Sequence, residues 1–152
     1  MSDRGADTVP LSRGRRLGVD PGAVRVGIAV CDPEGLLATG LTTLKRDKRG
    51  RSDITELAAL VSEYEAVEVV IGRPTSLSGG AGRAVQVADE YADQVAAAIA
   101  PVPVSRVDER FTTVSAAGAL QRAGMNTRQQ RSVIDQTAAA VMLQAWLDER
   151  RG

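Results

Sequence analysis

The sequence predicts an α/β layered domain: a mixed five-stranded sheet, an antiparallel meander followed by βαβ crossovers, with helices on both faces. Two observations carry this. Residues 24–31 alternate apolar with small or polar side chains, between the turns Pro21-Gly22 and Asp32-Pro33-Glu34-Gly35. After residue 52, stretches with helical spacing alternate with short aliphatic runs. A tight turn makes neighbouring strands antiparallel, whereas an intervening helix lets them run parallel.

Arg16 to Asp20 reads as the first strand. In the second, Val24, Val26, Ile28 and Val30 alternate with Arg25, Gly27, Ala29 and Cys31. Leu37, Thr39, Leu41 and Thr43 continue a third. Ile54, Leu57, Ala58, Val61 and Tyr64 recur on one face of a helix that Ser52 or Asp53 can cap. Glu68 to Gly72 is a buried strand and Arg73 to Gly80 a loop. Ala84, Val87, Tyr91, Val95 and Ile99 mark a second helix, stopped by Pro101. Val102 to Val107 is the fifth strand, Thr112 to Ala123 a third helix, and Gln129 to Glu149 a last one. Residues 1–14 are polar and read as a disordered tail before a single domain spanning 15–152.

Composition narrows the chemistry. The 152 residues include no histidine and one cysteine, Cys31. Without imidazole there is no Ser-His-Asp triad, no Cys-His dyad and no H-E-x-x-H zinc site. One thiol cannot form an intrachain disulfide and suits a reducing compartment. No signal-peptide pattern or membrane-length apolar run occurs, so a cytoplasmic location is expected. An enzyme of this composition must use carboxylates, hydroxyls, Arg or Lys, or a metal held by oxygen. Lys and Arg total 19, as do Asp and Glu, which argues against a general polyanion coat. The charges are clustered all the same. Lys45 to Arg51 holds five basic residues and one acid, and Asp53 to Glu68 holds five acids and no base.

Three sets of acids stand out. Asp20 ends the first strand on the face of Gly18, where small neighbours leave room for a ligand. It can equally start the Pro-Gly turn. Asp108 and Glu109 end the fifth strand, and alternation turns only one of them toward a shared site. The other can cap the following helix or pair with Arg110. Asp135 shares a helix face with Ala139, Met142 and Trp146, and a carboxylate on such a stripe is costly to bury unless paired or metal-bound. A place near the helix N-terminus would also favour its charge. Sites in such sheets lie at the carboxyl ends of the strands. Oxygen ligands converging there suit Mg²⁺ or Mn²⁺, and two such ions about 4 Å apart support phosphodiester hydrolysis without His or Cys. The loop from Gly72 to Arg83, rich in glycine and hydroxyls and leading into a helix, is a plausible phosphate seat, although it matches neither G-x-x-x-x-G-K-[ST] nor G-x-G-x-x-G.

Four ordered segments resemble the YqgF/RuvX family of Holliday-junction-resolvase-like proteins, named for a role in pre-16S rRNA processing. They are Leu-Gly-Val-Asp-Pro-Gly-Ala-Val-Arg-Val-Gly-Ile-Ala-Val (17–30), Val-Val-Ile-Gly-Arg-Pro (69–74), Val-Asp-Glu-Arg-Phe-Thr-Thr-Val-Ser-Ala (107–116) and Val-Ile-Asp-Gln-Thr-Ala-Ala (133–139). The resemblance implies an RNase H-like fold and a divalent-metal nuclease with Asp20, Glu109 and Asp135 as ligands and Asp108 in reserve. By the same analogy Asp20 bridges the metals, and Arg25, Arg73, Arg83 and Arg110 contact the sugar-phosphate backbone. Arg73 and Phe111 depart from the apolar and aliphatic residues usual at their positions. The implied substrate is structured RNA, pre-16S rRNA above all, or branched DNA; the latter would suit a homodimer. A non-catalytic nucleic-acid-binding or ribosome-assembly factor on the same fold is the alternative. An actin/Hsp70-like phosphotransferase fragment would also place Asp-x-Gly after a strand, but the chain is too short for a two-lobed clamp.

Overall fold

The computed structural model describes residues 11–73, 81–108 and 128–151, and among these residues there are five strands and three helices; of residues 81–84 and 128–130 it describes the helical backbone alone. The elements are β1 (Arg16–Pro21), β2 (Arg25–Cys31), β3 (Ala38–Lys45), α1 (Ser52–Glu63), β4 (Glu68–Arg73), α2 (Ala81–Ile99), β5 (Val104–Asp108) and α3 (Arg128–Arg151). The helix expected over 112–123 lies outside the described residues, as does the loop over 74–80.

The strands form one sheet in the order β3-β2-β1-β4-β5. The meander pairs β1 with β2 and β2 with β3 antiparallel, while β1–β4 and β4–β5 are parallel. The carboxyl ends of β1, β3, β4 and β5 therefore lie along one edge. Strand alternation divides the apolar residues between two faces. Leu17, Val19, Ile28, Val69 and Ile71 pack under α1 and α2, with Leu57, Tyr91 and Val95. Ala29, Cys31 and Val70 pack under α3, with Ala139, Met142, Leu143 and Trp146.

Small residues set the height of α3. Gly18 of β1, Ala29 of β2 and Gly40 of β3 form one cross-strand row. A Cβ at Gly18 would stand 2.9 Å from the Leu143 Cβ, and one at Gly40 would stand 2.9 Å from the Gln136 Cβ. The row is a trough in which the helix backbone lies close to the sheet.

The cap of α1 differs from the expectation. Neither Ser52 nor Asp53 caps it; Arg51 holds the N-cap position with a left-handed backbone and no side-chain cap bond. Asp47 takes over that role, accepting hydrogen bonds from the backbone N–H groups of Gly50 (2.9 Å) and Ser52 (3.1 Å). Asp53 is instead buried, where it accepts from the Tyr91 hydroxyl at 3.2 Å and faces Arg46 Nε at 3.8 Å. A carboxylate two residues inside a helix looks like a cap in sequence; its tertiary partners pull it inward.

Cys31 ends β2 in the α3-side core, its sulfur accepting from the Arg16 N–H at 3.2 Å. Burial pushes the thiol up from its ordinary value. A raised pKa means less thiolate at any given pH, and the thiolate is the nucleophile. Native protein at pH 8 is expected to resist a thiol-specific disulfide reagent and to release one equivalent of reagent chromophore once unfolded in urea. Fast labelling of the native chain would contradict this packing.

Candidate active site

Asp20 stands at the carboxyl end of β1, half-buried, on the α3 face of the sheet. Its cross-strand partner is Gly27 of β2. Gly27 is the point of closest approach by α3: a Cβ built there falls far inside van der Waals contact with the Asp135 carbonyl oxygen and 3.2 Å from the Asp135 Cβ. Directly paired strand residues keep their Cβ atoms about 5 Å apart on one face. Asp135 therefore springs from the helix directly over the neighbour of Asp20. Gly27 in turn pairs with Thr43, whose hydroxyl donates to the Ser132 carbonyl at 2.9 Å and holds the same turn of α3.

Asp135 lies about two turns inside α3, beyond the first turn over which the helix dipole acts. Its charge is met by Arg25, whose Nε donates to Oδ2 at 2.6 Å. The two side chains are 32% and 24% exposed, so this ion pair is partly shielded from solvent. Arg25 is expected on a phosphate; in the structure it rests on a candidate ligand.

The other end of the expected constellation is described only in part. Asp108 pairs with Arg73 in register and follows Val107, which packs on the α3 side. Alternation puts Asp108 on the α2 side, opposite the face of Asp20. Glu109 and Arg110 lie outside the described residues, and so does the side chain of Arg83. Arg73 is also on the α2 side, where it donates to Asp89 of α2 at 3.0 Å; its Nε is buried with no hydrogen-bond partner among the described residues. Among the described residues no three carboxylates, thiols or imidazoles gather closely enough to hold an ion. Asp20 and Asp135, set near each other through Gly27, carry hard carboxylate oxygens, which fit Mg²⁺ or Mn²⁺ and not a soft-ligand metal.

Spacing and composition do not mark Gly27 or Thr43 as site residues. A glycine inside an otherwise regular strand signals close backbone approach, and that signal was present in Arg-Val-Gly-Ile-Ala.

Residues 14–149 match the profile of the family described as RuvX: Holliday junction resolvase. The chain belongs to the RuvX family. A relative from Mycobacterium ulcerans, named "Putative pre-16S rRNA nuclease", is 52% identical over 139 residues, covering 91% of this chain and 81% of its own. One of the same name from Mycobacterium tuberculosis is 51% identical over 138 residues, covering 91% and 81%. Among solved structures, T. thermophilus RuvC in complex with a Holliday junction substrate superposes with a TM-score of 0.53 at 16% identity, covering 90% of this chain and 95% of that one. This likeness establishes the RNase H-like fold. Membership in RuvX places the chain among hydrolases of nucleic-acid ester bonds. No described helix is long and apolar enough to cross a membrane.

Proposed function

We propose that this RuvX chain is a divalent-metal-dependent nuclease acting on structured nucleic acid in the cytoplasm, with 5′-end processing of pre-16S rRNA as its role. The observation that carries the reading is the seating of Asp135 on Gly27, beside Asp20. A glycine lets the helix that carries Asp135 lie directly over the strand neighbour of Asp20. The relatives' names support the choice of RNA.

Asp20, Asp135 and Glu109 would hold the metal. Asp108 stands on the face opposite Asp20, so Glu109 is the proposed third ligand and Asp108 stays in reserve. Bound there, Mg²⁺ or Mn²⁺ would neutralise charge on the phosphoryl oxygens and make a water acidic enough to attack near neutral pH. Asp20, on a central strand, is the rigid ligand. Asp135 is oriented by Arg25, and a guanidinium released from that carboxylate can bind a phosphate instead. Arg73, Arg83 and Arg110 are the further proposed backbone contacts, Arg73 through its partly exposed guanidinium once released from Asp89. All belong to one domain spanning 15–152.

The test is a side-by-side cleavage assay of precursor rRNA and a four-way DNA junction with Mn²⁺. Cleavage of the RNA, abolished by chelator, is the expected result. The family description favours one second reading, a junction resolvase, which as a homodimer would cut the junction in paired incisions. Binding without cleavage of either substrate would leave a non-catalytic assembly factor and remove the nuclease reading.

A further inference from the structure

The basic stretch from Lys45 to Arg51 has no part in the site just described. Structurally it is the end of β3 and the loop into α1, at the sheet edge that carries Asp20. Arg46 ties this loop to the turn after β1: its backbone N–H donates to the Val24 carbonyl at 2.8 Å, and its guanidinium donates to the Gly22 carbonyl at 2.6 Å. The same guanidinium lies 4.4 Å over the Tyr91 ring. Gly22 is two residues from Asp20, at most about 7 Å of extended chain.

The loop's one acid does not neutralise its cations. Both Asp47 oxygens face the loop's own backbone, accepting from Gly50 and Ser52. Those bonds hold its carboxyl below the usual aspartate value, so it stays a charged acceptor and the loop stays shaped. Lys45, Lys48, Arg49 and Arg51 are exposed, and none has an ion pair among the described residues. Other arginines contrast with this: Arg13 lies against Glu34, Arg73 against Asp89, and Arg106 against Asp89 and Asp93. Glu90 of α2 lines a hollow of about 230 Å³ with Lys48 and Arg51 but pairs with neither. In a chain of zero net charge, four exposed cations with no ion pair among the described residues stand on one anchored loop at the sheet edge that carries Asp20.

We propose that the Lys45–Arg51 loop is a backbone track for the nucleic acid, binding phosphates a few nucleotides away from the bond held at Asp20. The inference rests on the reading of the substrate as nucleic acid. The ligand chemistry is a run of phosphodiesters, RNA or DNA. Because the loop is fixed at Arg46 and Asp47, its cations bind without first ordering the chain. Each phosphate contact releases counterions and adds about 0.7 (single strand) to 0.9 (duplex) to the salt slope of log K.

The experiment measures anisotropy of a labelled precursor-rRNA fragment and a labelled four-way DNA junction in chelator, so that binding is read without cleavage. Wild type is compared with Lys48→Gln/Arg49→Gln; Arg51 is kept because its left-handed backbone caps α1. The double variant is expected to bind about tenfold more weakly at low salt, with the slope smaller by between about 1 and 2. Its melting temperature should match wild type, since neither side chain has a described partner. Arg106→Gln, which removes a cation already matched by acids, should leave the slope unchanged. An unchanged slope in the double variant, or an equal fall with Arg106→Gln, would overturn the track. Wild type that binds neither probe in chelator but cleaves RNA with Mn²⁺ would sink the track and spare the nuclease reading. Neither binding nor cleavage would sink both. A fall with one probe alone names the polymer that follows the loop.

Discussion

Asp20→Asn is expected to lower Mn²⁺-dependent cleavage of precursor RNA by about 10³-fold, some 4 kcal/mol of transition-state stabilisation, while leaving the protein folded. Asn keeps the size and one carbonyl oxygen of Asp but loses the charge a hard cation needs. Asp20 is half-buried at a strand end, and its side chain supplies no part of either apolar core. Thermal melting without metal should therefore stay close to that of wild type. Mn²⁺ titration followed by the melting temperature gives a readout apart from activity, because a ligand that binds the native state raises it. Wild type should show the rise and Asp20→Asn should not. An Asn variant that cuts at wild-type rate, or that gains equal stability from Mn²⁺, would remove Asp20 from the metal site.

The parts of the fold that could be read in sequence are those where one local rule dominates. Period-two alternation through Val26, Ile28 and Val30 gave β2, and short turns gave the antiparallel meander. Helical spacing from Ile54 to Val61 gave α1. The order β3-β2-β1-β4-β5 realises the mixed sheet that a meander followed by crossovers implies. Tertiary competition decided the rest. Asp53 was a good cap candidate locally, yet Tyr91 and Arg46, which are distant in sequence, hold it. Asp135 was singled out for its apolar helix face, but nothing local could say that Arg25 would sit on it. That pair joins residues 110 positions apart and exists because α3 crosses β2 at a glycine. The basic loop was visible as composition alone; its proximity to Asp20 came from the Arg46 bonds to the β1–β2 turn.

Gly27→Ala is expected to be the most destabilising single methyl in the described chain, costing about 3 kcal/mol or more and lowering the melting temperature by about 10 °C. Space, and not backbone angle, is the reason, since Gly27 has no positive φ. The obstacle is the Asp135 carbonyl, part of a helix backbone that cannot rotate aside as a side-chain tip could. To admit the methyl, α3 must lift from β2. Lifting weakens the Thr43–Ser132 bond, shifts Asp135 away from Asp20 and opens the packing of Ala139 and Met142. The graded series sharpens the claim. Gly18→Ala meets the Leu143 Cβ at 2.9 Å and the Ala139 carbonyl at 3.3 Å, an intermediate case. Gly40→Ala meets the Gln136 Cβ at the same 2.9 Å, but from the edge strand β3, which is paired on one side only and can bend away from the helix. Urea denaturation should therefore rank the losses Gly27 above Gly18 above Gly40. Mn²⁺ stabilisation should be lost most completely in the Gly27 variant, even at temperatures where it remains folded. Equal losses at the three sites would mean that α3 floats on the sheet as a unit, and a Gly27 variant with full Mn²⁺ response would separate Asp135 from the metal. In the arrangement described, one absent side chain on β2 does two jobs: it lets the helix close the core, and it brings the helix's acid to the strand's.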